Sequence, residues 1–557
     1  MNEHARSNIN SLWGSFLAEA LSRLGIRHVV LSPGSRSTPL AWGIAHCAGL
    51  EAVPVLDERA AGFFALGLAR QHGRPVALVC TSGSAAANYL PALVEAHHSG
   101  VPLIVLTADR PPELRRCAAG QAIDQTRMYG VFAKDYFELP LPEASAGCLR
   151  QLRQVLMQAV RLSKLPERGP VHINCPLREP LAPELGKVME LDFSPEALLE
   201  ELVPDNAGAP LPDFGSIPLP PRVRRGLIIA GSVMADCDRD ARYSLWTLAS
   251  RTGWPIICDA LGPWRAAEVS DTVCRIGAYD EILKSPSSCE ALAPDFVLQI
   301  GPLPTSKVLR QWLSSMDTRT LIASAGLESL DPLHRRSRQI VLPPELLHLL
   351  PLPSGEDLSY SELWKEAEGT ARAKLNAELD SADGLSEEAV ARELFRSLPA
   401  ESRLFVANSM SVRHVERYAE LGHSQFRVFF SRGANGIDGT VATAMGMAHG
   451  GRGFLLTGDL AMLHDAGAML LAGELKGALT VVLVDNKGGG IFRRLPVAKL
   501  EDAAFERFFV TPQNVDFQAL ASAYGAEYSL VRSLGLLRGE LKRDCTKKLR
   551  ILHLRMA

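Results

Sequence analysis

The ten cysteines include no Cys-x-x-Cys pair. They are scattered from Cys47 to Cys545, no two closer than fifteen positions, and no His/Cys spacing suits zinc. That pattern argues for reduced thiols in a cytoplasmic protein rather than a disulfide or zinc scaffold. Net charge is also nearly absent. Lys+Arg total 59 against 62 Asp+Glu, a formal charge of -3 over 557 residues. Nucleic acid or an anionic membrane surface is therefore not expected as the main partner, and any cationic function must be a local cluster. No stretch reaches about 18 consecutive apolar residues, so no membrane span is expected. The polar first sixteen residues lack the charged-then-apolar pattern of a secretory signal. What remains is an ordinary globular mixture, 47% hydrophobic and 22% charged. At roughly 150 residues per domain it is long enough for three or four domains.

Short apolar runs alternate with helical stretches in the first third. Val29–Leu31, Val76–Val79 and Leu103–Leu106 are separated by helical texture at Ala60–Gln71 and Ala85–His97. Continuous apolar strands between helices imply parallel sheet buried on both faces. The same texture returns at Leu404–Val406, Phe454–Leu456 and Thr480–Val484, and a middle unit carries Leu227–Ile229, Ile256–Ile257 and Phe296–Leu298. Prolines 204, 210, 212, 218, 220 and 221 mark one linker, and Pro351, Pro353 and Gly355 a second. The expected class is α/β, with three domains that are each a mainly parallel sheet flanked by helices. Their expected boundaries are 1–185, a linker 186–222, a middle domain 223–350, a linker 351–385, and 386–557.

The outer thirds read as diverged copies. Ala65-Leu66-Gly67-Leu68-Ala69 matches Ala444-Met445-Gly446-Met447-Ala448, and both Thr81 to Asp109 and Thr457 to Asp485 span 28 positions. Two related domains would then supply different chemistry to one site.

Thr457-Gly458-Asp459-Leu460 puts a carboxylate just past an apolar strand, and some 25 residues on comes Asp485-Asn486-Lys487-Gly488-Gly489-Gly490. Ligands bind outside the carboxyl ends of such strands, so both loops should share one edge. Asp459 and the Asn486 side-chain oxygen are hard ligands suited to Mg²⁺, with a backbone carbonyl near Gly488 as a third. Gly458 and Gly488 to Gly490 allow close backbone approach to a diphosphate. The pair resembles the thiamine-diphosphate enzymes, whose motif is Gly-Asp-Gly followed by Asn-Asn. Leu460 and Lys487 depart from it, whereas Asp459 and Asn486 keep its metal-binding members.

That resemblance implies a pyrimidine-binding first domain, a middle domain and a diphosphate-binding last domain. It implies thiamine diphosphate as cofactor, with Mg²⁺ or alternatively Mn²⁺. It also makes Glu58, in Val55-Leu56-Asp57-Glu58-Arg59, the glutamate that bonds the aminopyrimidine ring and promotes loss of the C2 proton. Ile437, nine positions before Gly446 as Glu58 is nine before Gly67, corresponds to the apolar wedge under the bent cofactor. The family further implies a homodimer or homotetramer with active sites between subunits.

Basic residues stand in several Gly/Ser-rich strand-end loops: Ser35-Arg36, Arg110 with nearby Gln121, Ser409 to Arg413, and Ser431-Arg432-Gly433. With Ile491-Phe492-Arg493-Arg494-Leu495-Pro496 they resemble one branch of the superfamily, carboligases of menaquinone biosynthesis that join 2-oxoglutarate to isochorismate. The likeness implies that Ser35, Arg36, Arg110, Gln121, Lys307, Ser409, Arg413 and Arg432 bind the two dianionic substrates. Phe492 and Leu495 would wall the site, with Ile491 beside the cofactor. His97-His98 reads as structural. Alternatives at this stage are a pyruvate-using enzyme such as an acetohydroxyacid synthase, a flavin-dependent thiamine oxidoreductase, or a non-catalytic binding protein of the same fold. The middle domain has no Gly-x-Gly-x-x-Gly to support the flavin reading.

Overall fold

The computed structural model describes residues 6–556, apart from 185, 201, 204–211, 218, 234–237, 268, 270–271, 382–383, 423–425 and 501–502. Pro204, Pro210 and Pro218 of the first proline-rich segment lie outside the described residues. Three six-stranded, wholly parallel sheets account for the chain. The first comprises β1 (His28–Leu31), β2 (Glu51–Pro54), β3 (Val76–Cys80), β4 (Leu103–Asp109), β5 (Tyr136–Glu138) and β6 (Pro170–Pro176). The second comprises β7 (Gly226–Ala230), β8 (Ile256–Cys258), β9 (Arg275–Ile276), β10 (Phe296–Ile300), β11 (Arg319–Ser324) and β12 (Ser337–Val341). The third comprises β13 (Arg403–Val406), β14 (Arg427–Phe429), β15 (Arg452–Gly458), β16 (Ala478–Asp485), β17 (Glu527–Val531) and β18 (Leu549–Arg555). Central strands β3, β4 and β6 are buried at every residue; β3 and Leu103–Leu106 of β4 read as unbroken apolar runs for that reason, whereas β6 also buries His172 and Asn174.

The first and third sheets have the same strand order. The first runs β2-β1-β3-β4-β6-β5 and the third β14-β13-β15-β16-β18-β17. The two 28-residue intervals join the carboxyl ends of equivalent neighbours, β3 to β4 and β15 to β16. The middle sheet differs. Its order β12-β11-β10-β7-β8-β9 is the doubly wound arrangement of dinucleotide-binding folds. Its first crossover loop is closed rather than open, since a Cβ on Gly231 would lie 1.8 Å from the Pro302 carbonyl. Residues 351–385, read from sequence as a linker, include a 22-residue helix, Tyr360–Ser381.

Two compact units emerge from the contacts. One is Met1–Ala209 with Ser431–His449 and His464–Lys476; the other is Pro210–Phe430 with Gly450–Leu463 and Gly477–Ala557. Inside the first unit the two repeated Gly pentapeptides meet. The helices Glu58–His72 and Thr440–Ala448 cross with their glycines face to face. A Cβ on Gly67 would lie 2.1 Å from the Thr443 carbonyl, and one on Gly446 would lie 2.1 Å from the Phe64 carbonyl. Neither contact leaves room for a methyl group. No helix among the described residues is long and apolar enough to cross a membrane.

The crossing yields a pair of opposite outcomes. Gly446→Ala should destabilise the protein by about 2–3 kcal/mol through overpacking. Gly369→Ala, in the exposed face of the Tyr360–Ser381 helix with open space around it, should stabilise by about 0.5–1 kcal/mol. Thermal melts of the two variants read both signs.

Candidate active site

The candidate residues fall into two groups, and the first group lies in the first unit. Asp57 caps the Glu58–His72 helix, accepting N–H groups of Arg59 and Ala60, and so places Glu58 at the first helical position, half-buried. Among the described residues nothing pairs with the Glu58 carboxylate. Its neighbour Arg59 is clamped, donating to Asp465 at 3.1 Å and to the His464 carbonyl. Asp465 is fully buried and also accepts the Ala442 N–H at 2.8 Å, which ties the start of the second crossing helix to the start of the first. Burial pushes its carboxyl up to about 6, against the pull of Ala442 and Arg59.

The loop Ser431–Gly439, carrying Arg432 and Ile437, precedes that second helix. It is held by a residue that sequence reasoning missed. Glu95, buried in the Leu90–His98 helix, accepts the N–H groups of Gly433 (3.1 Å) and Ala434 (2.7 Å) and the Ser99 hydroxyl. It also pairs at 3.2 Å with Arg70 in the core of the Glu58 helix. The only sequence signal was a lone acid inside an otherwise apolar helical run. His97 and His98 pack edge-on around Phe132, as structural residues do.

Loops after β1, β3 and β4 gather at the carboxyl edge of the first sheet. A Cβ on Gly34 would collide with Thr81, so Ser35-Arg36 lies against the β3 loop. Ser35 is exposed, but Arg36 is buried and engaged, donating to the Leu177 carbonyl at 2.9 Å and pairing with Glu179 at 3.1 Å. Arg110 and Gln121 come together: Arg110 donates to the Gly120 carbonyl, and Gln121 exchanges hydrogen bonds with Ser82. Arg110 has no carboxylate partner among the described residues. Gln121 holds φ at 58°, a conformation costly for a residue with a Cβ.

The second group lies in the second unit. Asp459 at the end of β15 and Asn486 after β16 sit on adjacent strands, and the Gly488 N–H donates to Asp459 at 2.8 Å. The two loops therefore share one edge. Asp459 is buried, and its carboxyl is raised above the ordinary range by burial and by Asp485, although the Leu460 and Gly488 amides oppose this. Asn486 donates to Glu387, while its Oδ1 is buried with no hydrogen-bond partner among the described residues. The Gly488 carbonyl accepts from Gly490 and keeps a second lone pair. Gly458 has open space where a Cβ would stand. A buried carboxylate, an orphaned amide oxygen and an open glycine are the donor set a hard divalent cation and a diphosphate require. The residues fit that pair of ligands.

Around this cluster, Phe492 lies against Gly489 and edge-on to Phe509, with Ile491 half-buried and Leu495 exposed. Ser409 after β13 holds φ at 66° and begins the Met410–Tyr418 helix, and its carbonyl accepts from Arg413. Lys307 is exposed at the first position of the Lys307–Ser314 helix, capped by Ser306, with no partner among the described residues. Four of the non-glycine residues at positive φ (Gln121, Ser409, Asn435 and Lys487) fall in the motif loops. Strain of this kind collects where a loop serves a ligand rather than its own stability.

Removing Glu95 tests how the first group is held. Glu95→Ala takes the carboxylate away from a buried guanidinium and should cost about 3–5 kcal/mol in chemical denaturation. Hydrogen exchange should rise at Gly433 and Ala434 first.

Three family models match successive parts of the chain. The thiamine pyrophosphate (thiamine diphosphate) enzyme N-terminal TPP binding domain matches residues 13–128, and the middle domain of thiamine pyrophosphate enzymes matches residues 221–406. The C-terminal TPP binding domain matches residues 410–551. The chain is 44% identical over 553 residues to a 2-succinyl-5-enolpyruvyl-6-hydroxy-3-cyclohexene-1-carboxylate synthase of Synechococcus elongatus, covering 98% of this chain and 93% of the relative. Synthases of the same name from Nostoc sp. and Thermosynechococcus vestitus are 41% and 42% identical, covering 99% and 98% of this chain and 96% of each relative. With this full-length likeness and these domain matches, the chain belongs to the 2-succinyl-5-enolpyruvyl-6-hydroxy-3-cyclohexene-1-carboxylate synthase family of thiamine-diphosphate enzymes.

Proposed function

We propose that the protein decarboxylates 2-oxoglutarate and adds the remaining four-carbon unit, in a conjugate sense, to the ring alkene of isochorismate. One carbon–carbon bond breaks with release of CO₂, one forms, and one proton is taken up. The product is 2-succinyl-5-enolpyruvyl-6-hydroxy-3-cyclohexene-1-carboxylate, an intermediate of menaquinone biosynthesis. Thiamine diphosphate, when bound, supplies the electron sink for this chemistry. Asp459, Asn486 and the Gly488 carbonyl would hold Mg²⁺ (or Mn²⁺), with Gly458 and the Gly488 loop admitting the diphosphate and Ile437 and Ile491 lining the cofactor. Glu58 would take and return a proton at its free carboxylate, a role worth roughly 10² to 10⁴ in rate.

The observation that carries the reading is the buried pair of the Asp459 carboxylate and the Asn486 Oδ1, the latter oxygen without a hydrogen-bond partner among the described residues. The substrate assignment draws on cations. Both substrates are dianions, and Arg110, Arg413 and Lys307 present charged heads without carboxylate partners among the described residues. Each charge-assisted bond they make would contribute about 1.5–3 kcal/mol. Ser35, Gln121, Ser409 and Arg432 would add polar contacts, and Phe492 with Leu495 an apolar wall. Arg36 would serve only after exchanging Glu179 for a substrate carboxylate. The assembly proposed is a homodimer or homotetramer, each active site drawing the glutamate half from one subunit and the diphosphate half from another.

Purified protein supplied with thiamine diphosphate, Mg²⁺ and both substrates should release one CO₂ per isochorismate consumed, and neither change should proceed at full rate alone. Turnover of pyruvate by itself would instead favour the acetohydroxyacid-synthase type of reaction. Glu58→Gln should lower kcat by roughly 10² to 10⁴ while Mg²⁺-dependent cofactor binding persists. Unimpaired turnover in that variant would remove Glu58 from the proton-transfer role.

A further inference from the structure

Glu416 lies three residues past Arg413 on the Met410–Tyr418 helix and is 3% exposed. Its carboxylate turns toward the loop that leads into Lys307. One oxygen accepts the Thr305 N–H at 3.1 Å, and the other accepts the Ser306 N–H at 3.4 Å and the Tyr279 hydroxyl. Arg265 donates to the Glu416 and Ala419 backbone carbonyls, fixing the same helix from below. Ser306 then donates to Asp280 and caps the helix whose first residue is Lys307. A single carboxylate thus joins the two peptides just before one exposed cation to the helix that carries another.

This arrangement is costly for stability. The groups facing the carboxylate are Asp259, Asp280, Tyr279 and Arg265, with Arg413 on its own helix. Burial first, then Asp259, push the carboxyl up to about 7, against the pull of Tyr279 and Arg265. The unfolded chain ionises in the ordinary carboxylate range. The stability associated with the proton is therefore present below that range and is lost as pH rises through about 7.

We propose that Glu416 is a positioning residue that fixes Lys307 relative to Arg413, so that the two cations meet substrate carboxylates at a set spacing. The inference rests on the reading of Lys307 as a substrate ligand. Its test is a double-mutant cycle in the cofactor-loaded, full-length enzyme: wild type, Lys307→Ala, Glu416→Gln and the double variant, with KM measured for both substrates. Lys307→Ala should raise KM for one substrate by about 10- to 100-fold, the loss of one charge-assisted bond. Glu416→Gln should raise KM for that same substrate, change kcat less than about twofold, and melt no lower than wild type. In the double variant it should add nothing to the effect of Lys307→Ala, because residues acting as a unit are non-additive. Wild-type KM for that substrate should rise below neutral pH, and in Glu416→Gln that dependence should flatten. Tyr279→Phe, which removes one donor to the carboxylate, should shift the same KM in the same direction by less.

Additive effects in the cycle, an unchanged KM in Glu416→Gln, or a lowered melting temperature with kcat and KM altered together would overturn the positioning role while leaving Lys307 as a ligand. Unchanged KM values in Lys307→Ala would instead overturn the substrate reading, and the inference with it.

Discussion

Two glycines placed backbone to backbone, Gly67 and Gly446, set the close approach on which the first half of the site depends. Because neither position tolerates a Cβ, the helices Glu58–His72 and Thr440–Ala448 lie nearer than ordinary side chains allow. Arg70, in the last turn of the Glu58–His72 helix, is buried, and a buried guanidinium demands a carboxylate. Glu95 answers it and spends its other lone pairs on the amides of Gly433 and Ala434. At the other end Asp465 holds both Arg59 and the Ala442 amide. The loop of Arg432 and Ile437 and the helix start of Glu58 are therefore positioned by one packing contact and two buried carboxylates.

The second half follows a different logic. Its strands end at a point where oxygen atoms outnumber their donors. Asp459 takes two backbone amides, but its burial beside Asp485 still disfavours the charge, and Asn486 leaves an oxygen unmatched. A protein that satisfied only itself would place a donor there. The duplicated fold therefore serves two tasks. In one copy the carboxyl edge offers a free carboxylate on a helix start, and in the other it offers oxygen ligands on strand ends. Identical strand order in the two sheets makes this division a matter of loops, which is where α/β folds change chemistry.

Much of this was legible in the sequence because it is local. Buried parallel strands write themselves as Val76–Val79 or Thr480–Val484, and the matching Gly pentapeptides mark the outer thirds as related units, though not that their helices touch. That Asp459 and Asn486 share one sheet edge was legible because each stands at the end of an apolar strand beside a glycine-bearing loop. Glu95, Asp465 and Glu416 were not. Each acts on a segment distant in the chain, 338 residues away for Glu95 and Gly433, and a single acid in a helix carries no spacing to betray its partner. The engagement of Arg36 by Glu179 was equally hidden, since an arginine in a Ser/Gly loop reads the same whether it is free or paired. The middle sheet's dinucleotide-type order was only weakly marked, because the glycine fingerprint that normally accompanies it is missing and Gly231 serves packing instead.

Division of labour between the two copies is the central claim, and subunit mixing addresses it directly. Glu58→Gln and Asp459→Ala homomers, each inactive alone, would be combined under conditions of subunit exchange and assayed for isochorismate consumption. If each site joins the glutamate half of one subunit to the diphosphate half of another, random reassembly restores roughly a quarter of wild-type activity. No recovery in demonstrably exchanged mixtures would contradict that account.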